Sequence, residues 1–122
     1  RPPYDRRRMS VVLWHNPKCS TSRRALDLLR DRGLEPVVRE YLKDPPTEAE
    51  LRAVLKKLGA KDAHALARTR EALYGELGVA QMSSDALVAA MAAHPRLIER
   101  PVCIAGRRAR VGRPVEAILE II

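Results

Sequence analysis

Val11-Val12-Leu13-Trp14-His15-Asn16-Pro17-Lys18-Cys19-Ser20-Thr21-Ser22-Arg23-Arg24-Ala25-Leu26-Asp27-Leu28-Leu29 is the stretch on which the fold turns. It opens with four apolar residues in a row, as in a strand buried on both faces, and His15-Asn16-Pro17 supplies the turn chemistry that stops it. A helix follows at once. Over 20–32, Ala25, Leu26, Leu28 and Leu29 gather on one face among Arg23, Arg24, Asp27 and Arg30, and Gly33 offers a left-handed stop. Strand, turn and helix therefore meet at Cys19.

Working outward, 36–42 reads as a second strand carrying Val37, Val38 and Tyr41, ended by Asp44-Pro45-Pro46. Thr47 with Glu50 forms a capping box. The helix it opens sets Leu51, Val54, Leu55 and Leu58 at i, i+3, i+4 and i+7 and stops at Gly59. Strand, helix, strand, helix in so short a span implies a parallel strand pair. From about 60 to 100, Leu66, Leu73, Leu77, Leu87, Val88 and Met91 recur at broadly helical spacing. Two or three short helices are expected, the last capped by Ser83 or Ser84 and ended by His94-Pro95. Their apolar content is too small for a separate domain, so they read as an insertion on the sheet.

Val102-Cys103-Ile104-Ala105 is then a strand, Gly106-Arg107 a two-residue turn, and Arg108–Val111 its antiparallel partner. Gly112-Arg113-Pro114 opens a last helix with Pro114 in its first position. Val115, Ile118, Leu119 and Ile122 make the i, i+3, i+4, i+7 stripe that docks it. The expected class is α/β, a mixed sheet of four strands in the order βαβα, helical insertion, ββα. No internal repeat or low-complexity tract competes with it.

A chain of 122 residues accommodates one domain, 9–122, with one core, and 46% apolar residues can build it. Aromatic residues are 3% and Phe is absent, so the core is aliphatic. The net charge of +8 and a pI near 10.2 suggest an anionic partner: nucleic acid, a membrane surface or a small oxyanion. Part of the excess is local, since four arginines and one aspartate fall in residues 1–8. Met9 reads as a natural start, and 1–8 as a disordered leader or tag remnant. The apolar run at Val11 is shorter than the roughly 7–15 residues of a secretory signal, and no stretch approaches the about 20 of a membrane span. With two distant cysteines there is no disulfide scaffold. A cytoplasmic, reducing setting without a membrane is expected.

Cys19 lies at a helix start, where unpaired N–H groups and the helix dipole favour an anion such as a thiolate. His15, four residues earlier, and Arg23 and Arg24 in the first turns can lower the thiol pKa further. The plain alternative is a small turn residue, which these electropositive surroundings argue against. Cys19-Ser20-Thr21-Ser22 is a Cys-x-x-Cys pattern whose second thiol has become Ser22. A thiolate that attacks an oxidised substrate ends as an adduct, and another thiol must then release it. Cys103, between Val102 and Ile104, reads as a small core residue. Arg68, Arg100 and Arg113 stand out by context, but from sequence alone each fits a solvated surface residue as well as an oxyanion fork. His64 and His94 lack the spacing of a metal site, no metal ligand set is expected, and no Gly-rich phosphate loop is present.

These residues resemble a known family. His15-Asn16-Pro17-Lys18-Cys19-Ser20-Thr21-Ser22-Arg23 looks like the catalytic loop of the glutaredoxin-dependent arsenate reductases. The resemblance continues through Glu40-Tyr41-Leu42, Pro45-Pro46, Glu50-Leu51, Leu66-Ala67-Arg68, Tyr74, Glu76-Leu77-Gly78, His94-Pro95, Glu99-Arg100-Pro101-Val102 and Gly112-Arg113-Pro114. It implies a thioredoxin-like fold with a helical insertion, and Cys19 as the nucleophile that attacks arsenate. His15 then favours the thiolate, and Arg68, Arg100 and Arg113 clamp the oxyanion. Arg68 aligns once one extra residue is allowed between Gly59 and His64, with Arg70 as its substitute.

By the same resemblance no cofactor is bound, glutathione is the co-substrate, and glutaredoxin reduces the arsenic adduct. A thiol oxidoreductase linked to glutathione but acting on another substrate keeps the same site. A polymerase-binding regulator or a nucleic-acid binder is the remaining reading. Ser22 removes the Cys-x-x-Cys pair of redox-sensing regulators, and no aromatic platform for bases exists, so no nucleic-acid partner is expected.

Overall fold

A computed structural model describes residues 10–122; the expected leader, 1–8, lies outside the described residues. The described chain forms two compact units, one ending at Glu40 and resuming over Arg100–Ile122, the other Tyr41–Glu99. The helical segment read from about 60 thus belongs to a unit that begins at Tyr41.

In the first unit the apolar run is strand β1, Val11–Trp14, with Val11, Leu13 and Trp14 buried. It is central in the sheet. It runs parallel to β2, Val37–Arg39, and antiparallel to β3, Val102–Ala105, which pairs in turn with β4, Arg108–Val111, giving the order β2-β1-β3-β4. Leu13 stands opposite Val38 on one side and Cys103 on the other. This is the expected four-stranded mixed sheet of thioredoxin-like type. The β3–β4 turn has Gly106 at φ 61° and no non-glycine residue at positive φ, as a turn with glycine in its first central position requires. Strand β2 is shorter than the 36–42 expected, because its ladder partner β1 ends where Asn16-Pro17 turns away; the last pair is Trp14 with Arg39.

Helix α1, Ser20–Asp31, buries Ser22, Ala25 and Leu29, positions i, i+3 and i+7. At 12 residues it is marginal alone, so this packing holds it. Gly33, at φ 76°, ends it with paired bonds from Gly33 N–H to Arg30 O (2.9 Å) and Leu34 N–H to Leu29 O (3.0 Å). The chain closes with a 3-10 helix, Val115–Ile121, and Pro114 precedes it as the cap instead of opening an α-helix. Because 3-10 side chains eclipse every third residue, Val115, Ile118 and Ile121 form the buried stripe, with Ala117 also buried, while Leu119 and Ile122 are only partly covered. Those three join Leu13, Leu29 and Cys103 in one core.

In the second unit α2, Glu48–Leu58, begins with the expected capping box: Glu50 N–H donates to Thr47 Oγ1 (3.1 Å) and Thr47 N–H to Glu50 Oε1 (3.0 Å). Leu51, Val54 and Leu55 are buried, and Gly59, at φ 71°, stops the helix. A 3-10 turn, Ala63–Leu66, leads to α3, Ala72–Glu76, a second turn, Val79–Gln81, and α4, Ser84–Ala93. Ser83 caps α4 by accepting from Ala86 N–H at 3.1 Å, whereas Ser84 Oγ accepts from Ala63 N–H at 2.9 Å. Helix α4 packs Leu87, Val88 and Met91 inward and touches α2. Leu73 and Leu77, expected on helical faces, are not core: α3 buries no residue and Leu77 is exposed.

Candidate active site

His15 makes the last ladder contact after β1, its N–H donating to Arg39 O at 2.8 Å. The chain then folds on itself. Asn16 Oδ1 accepts from Lys18 N–H (3.0 Å), Cys19 N–H donates to Asn16 O (2.9 Å), and Arg23 Nη1 holds Pro17 O (2.8 Å). Cys19 is thereby fixed as the residue that precedes α1, in extended conformation (φ −96°, ψ 121°). From there its sulfur faces the helix's unpaired N–H groups.

Burial by itself pushes the Cys19 thiol pKa up. The Ser22 N–H, the Arg100 charge, the Thr21 N–H and a hydrogen bond from Arg100 together outweigh it, and the net direction is down. Arg113 adds a second guanidinium: Nη2 lies 3.8 Å from Cys19 Sγ while Nε donates to Arg100 O at 3.0 Å. A partly exposed thiol of lowered pKa beside two guanidiniums has the chemistry to act as a nucleophile on an oxyanion.

His15 is buried, and its Nδ1 lies 2.6 Å from Ser22 Oγ. Ser22, fully buried, also accepts from Asn16 N–H at 3.0 Å. Desolvation is the largest influence on His15 and lowers its pKa; Glu40 opposes it, Arg23 and Arg30 reinforce it, and hydrogen bonding with the Ser22 backbone opposes it, leaving the imidazole below its ordinary value. His15 thus meets the loop through Ser22 as a largely neutral ring. The early arginines act differently from the expectation that both press on the thiol: Arg23 clamps Pro17 O, and Arg24 pairs with Glu116 at 3.3 Å.

Sequence reasoning passed over Ser22 as a bonding centre. The signal was there: it shares a helical face with Ala25 and Leu29, and a polar side chain on an apolar face needs partners. Cys103 is buried, with its thiol pushed up to about 12 by desolvation. Arg68 belongs to the second unit, where its N–H donates to Leu97 O (2.7 Å) and its Nη1 to Glu71 Oε2 (3.3 Å). Its Nε is buried with no hydrogen-bond partner among the described residues. Arg70 is exposed. His64 Nε2 bonds Met82 O at 2.8 Å, and the described residues hold no group of three or more metal-ligating side chains. Among them, no helix is long and apolar enough to cross a membrane.

Residues 14–121 match the model of the ArsC family. The uncharacterized protein YfgD of Escherichia coli K12 is 47% identical over 92% of this chain and 96% of its own length. The arsenate reductase of Haemophilus influenzae is 41% identical over 93% of this chain and all of its own length. The structure of the arsenate reductase from Vibrio cholerae superposes with a TM-score of 0.90 at 49% identity, covering 93% of this chain and 98% of that one. The likeness spans both units and the loop that carries Cys19, and the chain belongs to the ArsC family.

Proposed function

We propose that this chain reduces arsenate to arsenite, with Cys19 as the nucleophile. The observation that carries the reading is the pairing of a lowered-pKa thiol with two guanidiniums, Arg113 Nη2 at 3.8 Å from Sγ and Arg100 among the causes of the lowering. Relatives named arsenate reductases support the substrate. In the proposed sequence Arg100 and Arg113 hold the oxyanion, and the Cys19 thiolate attacks arsenic(V), displacing an oxygen that leaves as water. The glutathione sulfur then bonds to arsenic, displacing a second oxygen as water. The glutaredoxin thiol attacks the glutathionyl sulfur to form a mixed disulfide, the broken As–S bond leaves its two electrons on arsenic, and water hydrolyses the remaining Cys19–arsenic(III) bond, releasing arsenite and the Cys19 thiol. Two thiols become one disulfide for each arsenate reduced.

Ser22, in place of a resolving thiol, supports dependence on an external reductant. Arg68 is proposed as an oxyanion ligand by the family resemblance alone; within the second unit its Nη1 pairs with Glu71. His15 serves by fixing the loop through Ser22.

The test is arsenite formation by the purified chain with arsenate, glutathione, glutaredoxin and NADPH-driven recycling. Arsenite is expected from the wild type and none from Cys19→Ser. No arsenite, while a known reductase turns over alongside, sinks the arsenate reading; turnover without glutaredoxin sinks the proposed coupling. Faster turnover of a glutathionylated peptide than of arsenate points to a different thiol substrate.

A further inference from the structure

Cys19 occupies the position before the first residue of α1, where Ser, Thr, Asp or Asn usually supplies an oxygen to the free N–H groups of the helix. A thiol is a weak acceptor and caps poorly. The helix start is therefore held from elsewhere, and within the first unit the holds converge on the turn 16–19. Asn16 O accepts from Cys19 N–H (2.9 Å) and Asn16 Oδ1 from Lys18 N–H (3.0 Å), with Pro17 at the second turn position, which its fixed φ suits. Arg23, one turn into the helix, reaches back to the same segment twice: its N–H donates to Cys19 O at 3.0 Å and its Nη1 to Pro17 O at 2.8 Å.

We propose that Asn16 and Arg23 are positioning residues for Cys19, locking the turn 16–19 so that the sulfur stays at the free N–H groups of α1. What they act on is short-range. Burial opposes the Cys19 thiolate, and the Ser22 and Thr21 N–H groups that help Arg100 to outweigh it do so by hydrogen bonding, which falls off steeply with distance and angle. A turn free to flex would carry the sulfur off these donors, leave more of it protonated near neutral pH and slow its attack. Arg23 thus serves through its hold on Pro17 O, and its charge is incidental. Arg24, the next residue, carries the same charge and is turned to Glu116 instead.

The proposal rests on the reading of Cys19 as the nucleophile, and its test needs no arsenate. Iodoacetamide alkylation of Cys19 in the full chain is followed against pH, with the modified residue located by mass spectrometry. Arg23→Ala is expected to slow alkylation near neutral pH severalfold and to move its midpoint up. Arg23→Lys, which keeps a donor long enough to reach Pro17 O, should recover most of the rate. Arg24→Ala, which removes an equal charge without touching the turn, should leave it unchanged. The Arg23→Ala loss should be the same at about 0.05 M and about 0.5 M salt, whereas a charge acting through solvent would lose its effect. Asn16→Ala should slow alkylation as well, and the double variant by less than the product of the two losses, because losing either lock frees the same turn. Equal losses from Arg23→Ala and Arg24→Ala, or a loss that salt abolishes, overturn the positioning role in favour of charge. A lower melting temperature with wild-type alkylation makes Arg23 a stability residue only and overturns it too, and losses that multiply in the double variant overturn the shared lock. A wild-type Cys19 that reacts no faster than a free thiol overturns the nucleophile reading and this proposal with it, while failure to form arsenite overturns only the arsenate reading.

Discussion

Ser22 Oγ lies 2.6 Å from His15 Nδ1 and accepts the Asn16 N–H at 3.0 Å, so the side chain that replaces a second thiol ties the end of β1 to the start of α1. Ser22→Ala leaves a partly buried N–H and a buried ring nitrogen without that partner. The expected loss is about 1–3 kcal/mol, several degrees in thermal melting. Ser22→Thr, which keeps the hydroxyl, should recover part of it. A Ser22→Ala melt identical to wild type would mean that the loop does not depend on this bond.

The lowered Cys19 pKa predicts how the thiol reacts with iodoacetamide. The pH at which alkylation reaches half its maximal rate should lie below that of a free thiol, because only the thiolate attacks. Arg100→Ala removes a positive charge and a hydrogen bond from the sulfur, so the midpoint should move up. Only one thiol per chain should react in the native state and two in denaturant, since Cys103 is buried with a pKa of about 12. Unchanged titration in Arg100→Ala would leave the helix N–H groups and Arg113 as the cause.

Stability should fall as the solution is made acid, and part of that fall belongs to His15. Its folded pKa is below the unfolded value of about 6.5, so between the two the unfolded chain binds more protons. Stability therefore rises with pH through that window, is fully present above about 6.5, and is lost as pH drops through the folded pKa. Urea midpoints taken from about pH 7 to about pH 5 should decline more steeply for wild type than for His15→Gln. Parallel declines would place the acid sensitivity elsewhere.

What the sequence disclosed was local. Four apolar residues, a proline turn and a helix with an apolar face lie within twenty positions, and each element needs only its neighbours to declare itself. The capping box at Thr47 and the glycine stops are legible for the same reason. The length of β2 was not, because a ladder ends where its partner ends. The last helix was ambiguous in kind: Val115, Ile118, Leu119, Ile121 and Ile122 satisfy a period of three as well as 3.6, and packing alone selects the 3-10 form. In the site, Cys19 announced itself by position, but the bond from Arg113 to the Arg100 carbonyl joins residues thirteen apart, which no spacing rule specifies.

Gly112 is the glycine for which the reason is space. Its φ is not positive, but a Cβ there would lie 2.8 Å from Pro101 Cγ and 3.3 Å from Ile118 Cγ2. The proline ring cannot swing aside as the tip of a long side chain can, and Gly112 N–H is bonded to Pro101 O at 2.8 Å. Gly112→Ala should therefore push the end of β4 away from Pro101, costing about 1–3 kcal/mol as overpacking does. Because Arg100 and Arg113 flank this contact on both chain segments, the shift should also carry Arg113 away from Cys19 Sγ. The expected signature is a lower melting temperature together with slower Cys19 alkylation near neutral pH. Gly33→Ala, with open space around its Cβ but φ at 76°, should lower the melt without slowing the thiol. If both variants slowed alkylation equally, loss of global stability and not the Gly112–Pro101 contact would govern the site.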